Sequence, residues 1–184
     1  MGLFDIDKGI CLAQFSIPRS KLLDKVQFLL IDRWCVWTTF NHHIYLLAPD
    51  RLEQVGELRG HKGPIGHICR HPTLPIVASC SEDSTIRVWD IEKQCCIIVF
   101  TGHSNKVTSI VFIDNNHILS SSLDKTRRIW NIKSGNCTAI YTSKYSSLYN
   151  VCVLSPNRLL GVEYGESGNY GVISEFVVNS GRTT

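Results

Sequence analysis

The chain of 184 residues is 43% hydrophobic, which is enough to bury a sizeable core and differs from the composition of a disordered segment. Its formal net charge of +3 comes from basic residues spread along the chain, so the composition does not predict the clustered basic face of a nucleic-acid-binding protein. Because no apolar run approaches ~20 residues, the sequence also predicts no transmembrane helix.

Strand-like segments begin near the N-terminus and continue to residue 60. Residues 1–15 contain two of them, one ending on Phe4-Asp5 and one running from Ile10 to Phe15. Residues 16–60 contain four more, which are short, rich in β-branched and aromatic residues, and separated by polar turns. These four predicted strands are Lys25 to Ile31, Cys35 to Phe40, His43 to Leu47 and Gln54 to Leu58.

Residues 61–102 form the most regular unit of the sequence. It follows Gly60 and opens on His61, turns at residues 81–84, and ends its third predicted strand on Trp89-Asp90. Its other predicted strands are Ile65 to Cys69, Pro75 to Cys80 and Cys95 to Phe100.

The same order returns in residues 103–143, which open on His103 and end their third predicted strand on Trp130-Asn131. The second tryptophan follows Trp89 after 41 residues (130 − 89). A period near 40 with four short strands per period is typical of the blades of a β-propeller. Residues 144–184 repeat the pattern more loosely, with three predicted strands and a glycine-rich turn at 165–171 that we interpret as a hairpin loop rather than a phosphate loop.

Residues 61–90 resemble a WD40 repeat, and residues 103–131 resemble a second one with Asn131 in place of the usual aspartate. The resemblance implies an all-β fold: a WD40-type β-propeller segment of about four antiparallel blades with four strands each. The expected units are a partial blade at 1–15, a degenerate repeat at 16–60, two regular repeats at 61–102 and 103–143, and a degenerate, incomplete repeat at 144–184.

In the WD40 family each blade is held by a hydrogen-bonded tetrad of histidine, serine or threonine, aspartate and tryptophan. Buried donors and acceptors of this kind have to find each other inside the protein. A serine, a histidine and an aspartate are also the elements of a catalytic triad, but the resemblance favours the structural role and no catalytic residue is predicted. The two implied tetrads are His61, Ser79, Asp83 and Trp89, and His103, Ser120, Asp124 and Trp130.

Family resemblance also implies a non-catalytic scaffold that mediates protein–protein interactions. In WD40 propellers, the turns before the first strand and between the second and third strands usually form a binding rim. A surface of lysines and small polar groups can bind other proteins or peptides, including acidic or phosphorylated ones. The same residue types are also typical of strand ends that are simply exposed to solvent. The rim carried over to this sequence comprises Lys62, Glu82, Ser84, Ser104, Asn105, Lys106, Lys125 and Tyr170. The alternative function is an RNA- or ribosome-associated propeller.

The number of predicted strands is smaller than a usual WD40 ring requires. Family members usually close with about seven or eight blades, and an open arc exposes apolar sheet faces and edges. We therefore expect an open or partial ring that is completed by further blades or by a second chain. The segments Cys35 to Thr38 and Ile44 to Leu47 resemble degenerate blades attached to DENN-domain exchange factors and Roco-type kinases, which implies the C-terminal propeller of a larger signalling or trafficking protein.

Three alternating residues and one neighbouring cysteine are of the types that bind metal ions. His67, Cys69 and His71 alternate along one predicted strand and share a face, with Cys80 on the neighbouring strand. Structural zinc sites usually draw their ligands from closely spaced pairs in turns, so we interpret these residues as core and predict neither metal nor cofactor. Most of the eight cysteines lie in apolar runs, where a free thiol behaves as a small hydrophobic residue, and no signal peptide is recognised in the sequence. Both observations favour a cytoplasmic or nuclear protein.

Overall fold

The computed structural model describes part of the chain in full and part as backbone alone. Side chains are described for Val36 and for residues 42–48 and 53–142. Backbone alone is described for the strands in 2–5, 10–14, 27–31, 34–38, 147–155, 158–164 and 171–177. Residues 16–24, most of the glycine-rich turn at 165–171 and the rim residue Tyr170 lie outside the described residues.

Within these residues the chain forms seventeen β-strands. They are β1 (Gly2–Asp5), β2 (Ile10–Gln14), β3 (Gln27–Ile31), β4 (Trp34–Thr38), β5 (Ile44–Ala48), β6 (Glu53–Leu58), β7 (Ile65–Arg70), β8 (Ile76–Ser81), β9 (Ile86–Asp90), β10 (Cys95–Phe100), β11 (Val107–Phe112), β12 (His117–Ser122), β13 (Thr126–Asn131), β14 (Cys137–Thr142), β15 (Ser147–Ser155), β16 (Arg158–Tyr164) and β17 (Gly171–Val177). The part of the chain that the structure describes contains no helix long and apolar enough to cross a membrane.

The strands form antiparallel meanders in which each strand pairs with its neighbours in the sequence. Three sheets have four strands, in the orders β3-β4-β5-β6, β7-β8-β9-β10 and β11-β12-β13-β14. The first pair, β1-β2, and the last three strands, β15-β16-β17, form a two-stranded and a three-stranded sheet. The prediction of an all-β fold built from four-stranded antiparallel sheets is therefore confirmed.

Strand ends differ from the predicted ones by one or two residues. The predicted strand from Lys25 starts at Gln27, and the one ending at Phe40 ends at Thr38. The predicted strand from Pro75 likewise starts at Ile76 and ends one residue later, at Ser81, which pairs with Ile65. Backbone pairing sets these limits, whereas the prediction followed the apolar side chains.

The sheets pack side by side through their first strands. β7 contacts β3 on one side and β11 on the other, and β11 also contacts β15. One apolar cluster joins the sheets of β3–β6 and β7–β10, with Val36, Leu46 and Trp89 among its buried members. A second cluster joins the sheets of β7–β10 and β11–β14 and contains Phe100 and Trp130, whose rings lie 5.1 Å apart.

Burial changes from the inner to the outer strands of a sheet. The second strands, β8 and β12, are almost wholly buried on both faces. The fourth strand β10 instead alternates between exposed and partly buried residues, and Ile97 and Val99 are 44% and 43% exposed. This gradient is what stacked sheets require, because the middle of each sheet is covered by both neighbours while its outer edge faces solvent.

Candidate binding rim

The first tetrad links the second and third strands of the β7–β10 sheet to the loop before it. Ser79 on β8 accepts a hydrogen bond from Trp89 Nε1 at 2.8 Å and lies 2.7 Å from His61 Nε2. The other imidazole nitrogen, Nδ1, lies 2.9 Å from Asp83 Oδ2. Since an indole N–H only donates and a carboxylate only accepts, a neutral His61 donates from Nδ1 to Asp83 and accepts the Ser79 hydroxyl proton at Nε2.

The second tetrad has the same geometry one sheet later. His103 lies 2.7 Å from both Asp124 Oδ2 and Ser120 Oγ, and Trp130 Nε1 donates to Ser120 Oγ at 2.8 Å. The structure thus brings together all four side chains expected in each regular repeat. Ser79 and Ser120 are fully buried.

Burial and hydrogen bonding act in opposite directions on the ionisable groups of the second tetrad. Burial alone would raise the pKa of Asp124, but hydrogen bonds from Thr126 and His103 outweigh it and hold that pKa at about 2. Burial lowers the pKa of His103 below its ordinary value, although the hydrogen bond to Asp124 opposes this. Asp83 also has a pKa below its usual range, because hydrogen bonds from His61 and Thr85 exceed the opposing effect of burial. At neutral pH both aspartates are therefore carboxylates.

The aspartates also fix the turns around them. Asp83 Oδ1 accepts hydrogen bonds from the backbone N–H and hydroxyl of Thr85, at 2.9 and 2.7 Å. Asp83 Oδ2 accepts one from the N–H of Lys62, at 2.8 Å. In the next sheet Asp124 accepts the equivalent bonds from Thr126 and from the N–H of Ser104. Each carboxylate thus ties the loop before the first strand to the turn between the second and third strands.

Four further side chains of these turns were not anticipated from the sequence. The buried hydroxyls of Ser81 and Ser122 donate to the carbonyls of Gly63 and Asn105, at 2.9 and 3.1 Å. Together with Thr85 and Thr126 they complete the polar network behind each tetrad. The available signal was the repeat itself, because each of these pairs is separated by the same 41 residues as the two tryptophans.

The tetrads have the connectivity of a Ser-His-Asp triad but differ from one in exposure. The Ser79 hydroxyl has no contact with solvent, and its lone pairs already accept the indole N–H of Trp89. A nucleophile has to reach its substrate, so this arrangement serves structure in the conformation observed. The absence of catalysis in the whole protein stays a prediction.

A different set of contacts lies near the same end of the β3–β6 sheet. His43, just before β5, contacts the Glu57 carboxylate through Nδ1, and Glu57 also accepts a hydrogen bond from Arg59 at 2.9 Å. Burial raises the pKa of Glu57, but the hydrogen bonds from Arg59 and His43 more than reverse this and leave the pKa lowered. These side chains are between a fifth and 70% exposed, so the cluster is far more open to water than the tetrads.

The predicted rim residues lie together at the end of the two regular sheets where the tetrad loops meet. Lys62, Ser104, Asn105, Lys106 and Lys125 are exposed, and Glu82 and Ser84 are partly buried. Lys106 Nζ lies 2.5 Å from Glu82 Oε2, which connects the rim residues of one sheet to those of the next. We refer to these seven residues as the rim; Tyr170 lies outside the described residues.

Three turns at this end share an unusual backbone conformation. His42, Ser84 and Lys125 precede the third strand of three consecutive sheets, and all have positive φ, at 72°, 67° and 67°. A side chain in this left-handed region costs roughly 1 kcal/mol relative to glycine. At the opposite end of the sheets Gln94 is also left-handed, with φ 53°, and Gly135 takes the equivalent position in the next sheet.

The histidines and the cysteine that alternate along β7 and into the turn after it make contacts that do not involve a metal ion. His67 Nδ1 donates to the carbonyl of Ile110, and His71 Nε2 donates to that of Asn115 at 2.9 Å, so both histidines connect neighbouring sheets. His71 Nδ1 accepts backbone N–H groups of the following turn. Burial raises the pKa of the Cys69 thiol to about 12, which keeps it protonated. Within residues 42–48 and 53–142, no three potential ligands are placed to hold a metal ion.

A family model described as "WD domain, G-beta repeat" matches residues 52–90 and 94–131. Each matched segment begins in the outer strand of one sheet and ends in the third strand of the next, so a sequence repeat joins two sheets. Human "WD repeat-containing protein 37" is 36% identical over 114 residues, which cover 58% of this chain and 23% of that protein.

Two other relatives match over shorter shares of their length. "Periodic tryptophan protein 2" of Arabidopsis thaliana is 31% identical over 122 residues, which cover 66% of this chain and 13% of that protein. "Lissencephaly-1 homolog" of Caenorhabditis briggsae is 40% identical over 60 residues, which cover 33% of this chain and 15% of that protein. The matches thus span at most about a quarter of each of these relatives.

Proposed function

We propose that this chain, a member of the WD40-repeat family, is a non-catalytic scaffold that binds other proteins at the rim. The observation that supports this most is that the acidic side chains of each turn bind inside the protein while the lysine side chains face solvent. The carboxylates of Asp83 and Asp124 point inward to the histidines and hold the turns, while the ammonium groups of Lys62 and Lys125 remain exposed. A rigid surface with outward-facing charge suits specific recognition, because little conformational entropy is lost on binding.

Several finer statements belong to the same proposal. The chain acts as the C-terminal propeller part of a larger signalling or trafficking protein, in the cytoplasm or the nucleus. Further blades or a second chain complete its ring. Cys80 is a free, buried thiol, as expected of a protein from a reducing compartment.

An RNA- or ribosome-associated role is the alternative, and the charge distribution gives it less support. One rim lysine, Lys106, is neutralised by Glu82, and the chain as a whole carries only +3. Binding through phosphate contacts would weaken steeply with salt, whereas a mixed protein interface would weaken less.

The proposal is tested by affinity capture with matched charge-reversal variants. The rim variant carries Lys62→Glu and Lys125→Glu. The control carries Arg70→Glu and Lys133→Glu, which are exposed at the opposite end of the same sheets and change the net charge equally. We expect proteins that are captured by the wild type and the control, survive nuclease treatment and are lost with the rim variant.

Two results would contradict the proposal. If the rim variant and the control capture the same proteins in equal amounts, the binding surface lies outside the rim. Capture that disappears after nuclease treatment would favour the RNA-associated alternative.

A further inference from the structure

We propose that Thr73, in the turn between β7 and β8, is a phosphorylation site for a protein kinase that selects arginine three residues before its acceptor. The added phosphoryl group weakens the contact that this turn makes with the next sheet. The turn lies at the end of the sheets opposite the rim, so the inference is independent of binding at the rim.

The sequence gives one hydroxyl the surroundings that a kinase with a preference for basic substrates recognises. Arg70 is the only arginine of the chain that has a serine or threonine three residues later, and that residue is Thr73. No acidic residue occurs between Arg59 and Ser81, so no negative charge in this segment offsets the arginine. Kinases select substrates by such charge patterns, because carboxylates of their cleft form strong, charge-assisted hydrogen bonds with an arginine.

The structure leaves this segment accessible to a second protein. Arg70, Pro72, Thr73 and Leu74 are all exposed. The backbone N–H groups of Thr73 and Leu74 donate to Nδ1 of the buried His71, at 3.1 and 3.0 Å. A surface turn of this kind opens locally at a much smaller free-energy cost than global unfolding. The opened turn can then extend along the cleft of a kinase.

ATP supplies the phosphoryl group for this modification. The bond between the γ-phosphorus and the oxygen that joins it to ADP breaks, and a bond between that phosphorus and Thr73 Oγ1 forms. ADP leaves, and the hydroxyl proton passes to the aspartate of the kinase catalytic loop. The phosphothreonine carries a charge of about −1.5 to −2 at pH 7.

The phosphoryl group is added at a contact between two sheets. Thr73 Oγ1 donates to Asn115 Oδ1 at 3.4 Å, in the turn between β11 and β12. An esterified oxygen has no proton to donate, so this bond is lost. The adjacent Asp114 is an exposed carboxylate bound to the ring of His117, and the added negative charge repels it. His71 Nε2 still donates to the Asn115 carbonyl, so the turns loosen while the sheets stay joined.

The site is tested with the purified full chain, calmodulin-dependent protein kinase II and ATP. This kinase accepts substrates with a single arginine at this spacing, and mass spectrometry locates the phosphate. We expect Thr73 to be the modified residue, with incorporation lost in Thr73→Ala and kept in Ser134→Ala, which removes an exposed hydroxyl at the same end. Arg70→Gln should lower kcat/KM roughly tenfold, whereas Lys133→Gln, which removes another exposed charge at that end, should leave it unchanged.

The effect on the turns is tested by hydrogen–deuterium exchange of the phosphorylated and unmodified chains. We expect the amides of residues 113–116 to exchange severalfold faster after phosphorylation, and those of the rim turns to exchange at unchanged rates. Asp114→Asn removes the repulsion and should make the difference between the two forms smaller.

A Thr73 that stays unmodified, or a kcat/KM that Arg70→Gln leaves unchanged, would overturn the assignment of the site. Equal exchange at residues 113–116 in the phosphorylated and unmodified chains would overturn the effect on the turns. Thr73→Ala keeps Lys62 and Lys125, so protein capture by this variant tests the proposed function separately.

Discussion

The β3–β6 sheet and the two sheets that follow it share strand order and packing, yet the described side chains at their rim ends make different contacts. In the regular sheets a buried aspartate ties the loop to the turn, as Asp83 does with Lys62 and Thr85. In the β3–β6 sheet the open ion pair of His43 and Glu57 stands at that end. Apolar clusters join all three sheets, and in the two regular sheets the polar network also fixes the turns that form the rim.

The largest effect expected from this comparison is the loss of a tetrad carboxylate. Asp83→Ala leaves the donors of His61, Thr85 and the Lys62 backbone without their acceptor, and we expect a loss of roughly 1–3 kcal/mol in the free energy of unfolding. Glu57→Ala in the β3–β6 sheet is the matched control and should cost no more than about 1 kcal/mol. Urea denaturation measures both, and equal small losses would show that the tetrad contributes no more than an exposed ion pair.

Acid should weaken the regular sheets in two stages. The pKa of His103 is depressed below 6.5, so the unfolded chain binds its proton first and stability falls as the pH drops below 6.5. The pKa of Asp124 lies at about 2, below its ordinary 3.8, so a second loss begins near pH 4 and ends near pH 2. Urea midpoints measured across this range should decline in both windows, and a midpoint constant between pH 7 and pH 3 would contradict the assignment.

A smaller effect is expected from the hydroxyls behind the tetrads. Ser81→Ala and Ser122→Ala each remove a buried donor to a loop carbonyl and should cost about 1 kcal/mol. Ser84→Ala, in the same turn as Ser81 but without an internal hydrogen bond among the described contacts, serves as the control and should be nearly neutral. Thermal melts that rank Ser84→Ala as the most harmful of the three would reverse our view of which hydroxyls hold the turn.

The smallest effect concerns the contact between rim residues of adjacent sheets. Lys106 and Glu82 are 47% and 34% exposed, so solvent screening limits their coupling to about 0.2–1 kcal/mol. A double-mutant cycle with Lys106→Met and Glu82→Gln should give this value at low salt and a smaller one at high salt. A coupling that is large and unaffected by salt would mean that this pair is part of the structural network.

Most of the correct predictions from the sequence depended on its internal repeat. The 41-residue spacing between the tryptophans predicted the four strands of each regular sheet, whereas the side chains of both tetrads were implied by the resemblance of residues 61–90 and 103–131 to WD40 repeats. The left-handed turns were not foreseen at Ser84 and Lys125, since positive φ is expected of glycine or asparagine. The cluster of His43, Glu57 and Arg59 was missed as well, because the two regular sheets have different residue types at the equivalent positions and the repeat therefore could not reveal it.

The outer strands have a consequence for how the protein behaves at high concentration. β10 and β14 contain no charged residue or proline, and Ile97, Val99 and Ile140 are between 43% and 55% exposed. Natural sheets usually protect such edges with lysine or proline, which prevent strands of different molecules from pairing. We therefore expect aggregation at high concentration to occur through the outer strands β10 and β14 rather than through the rim. A lysine placed at position 97 or 140 would improve solubility without touching the turns.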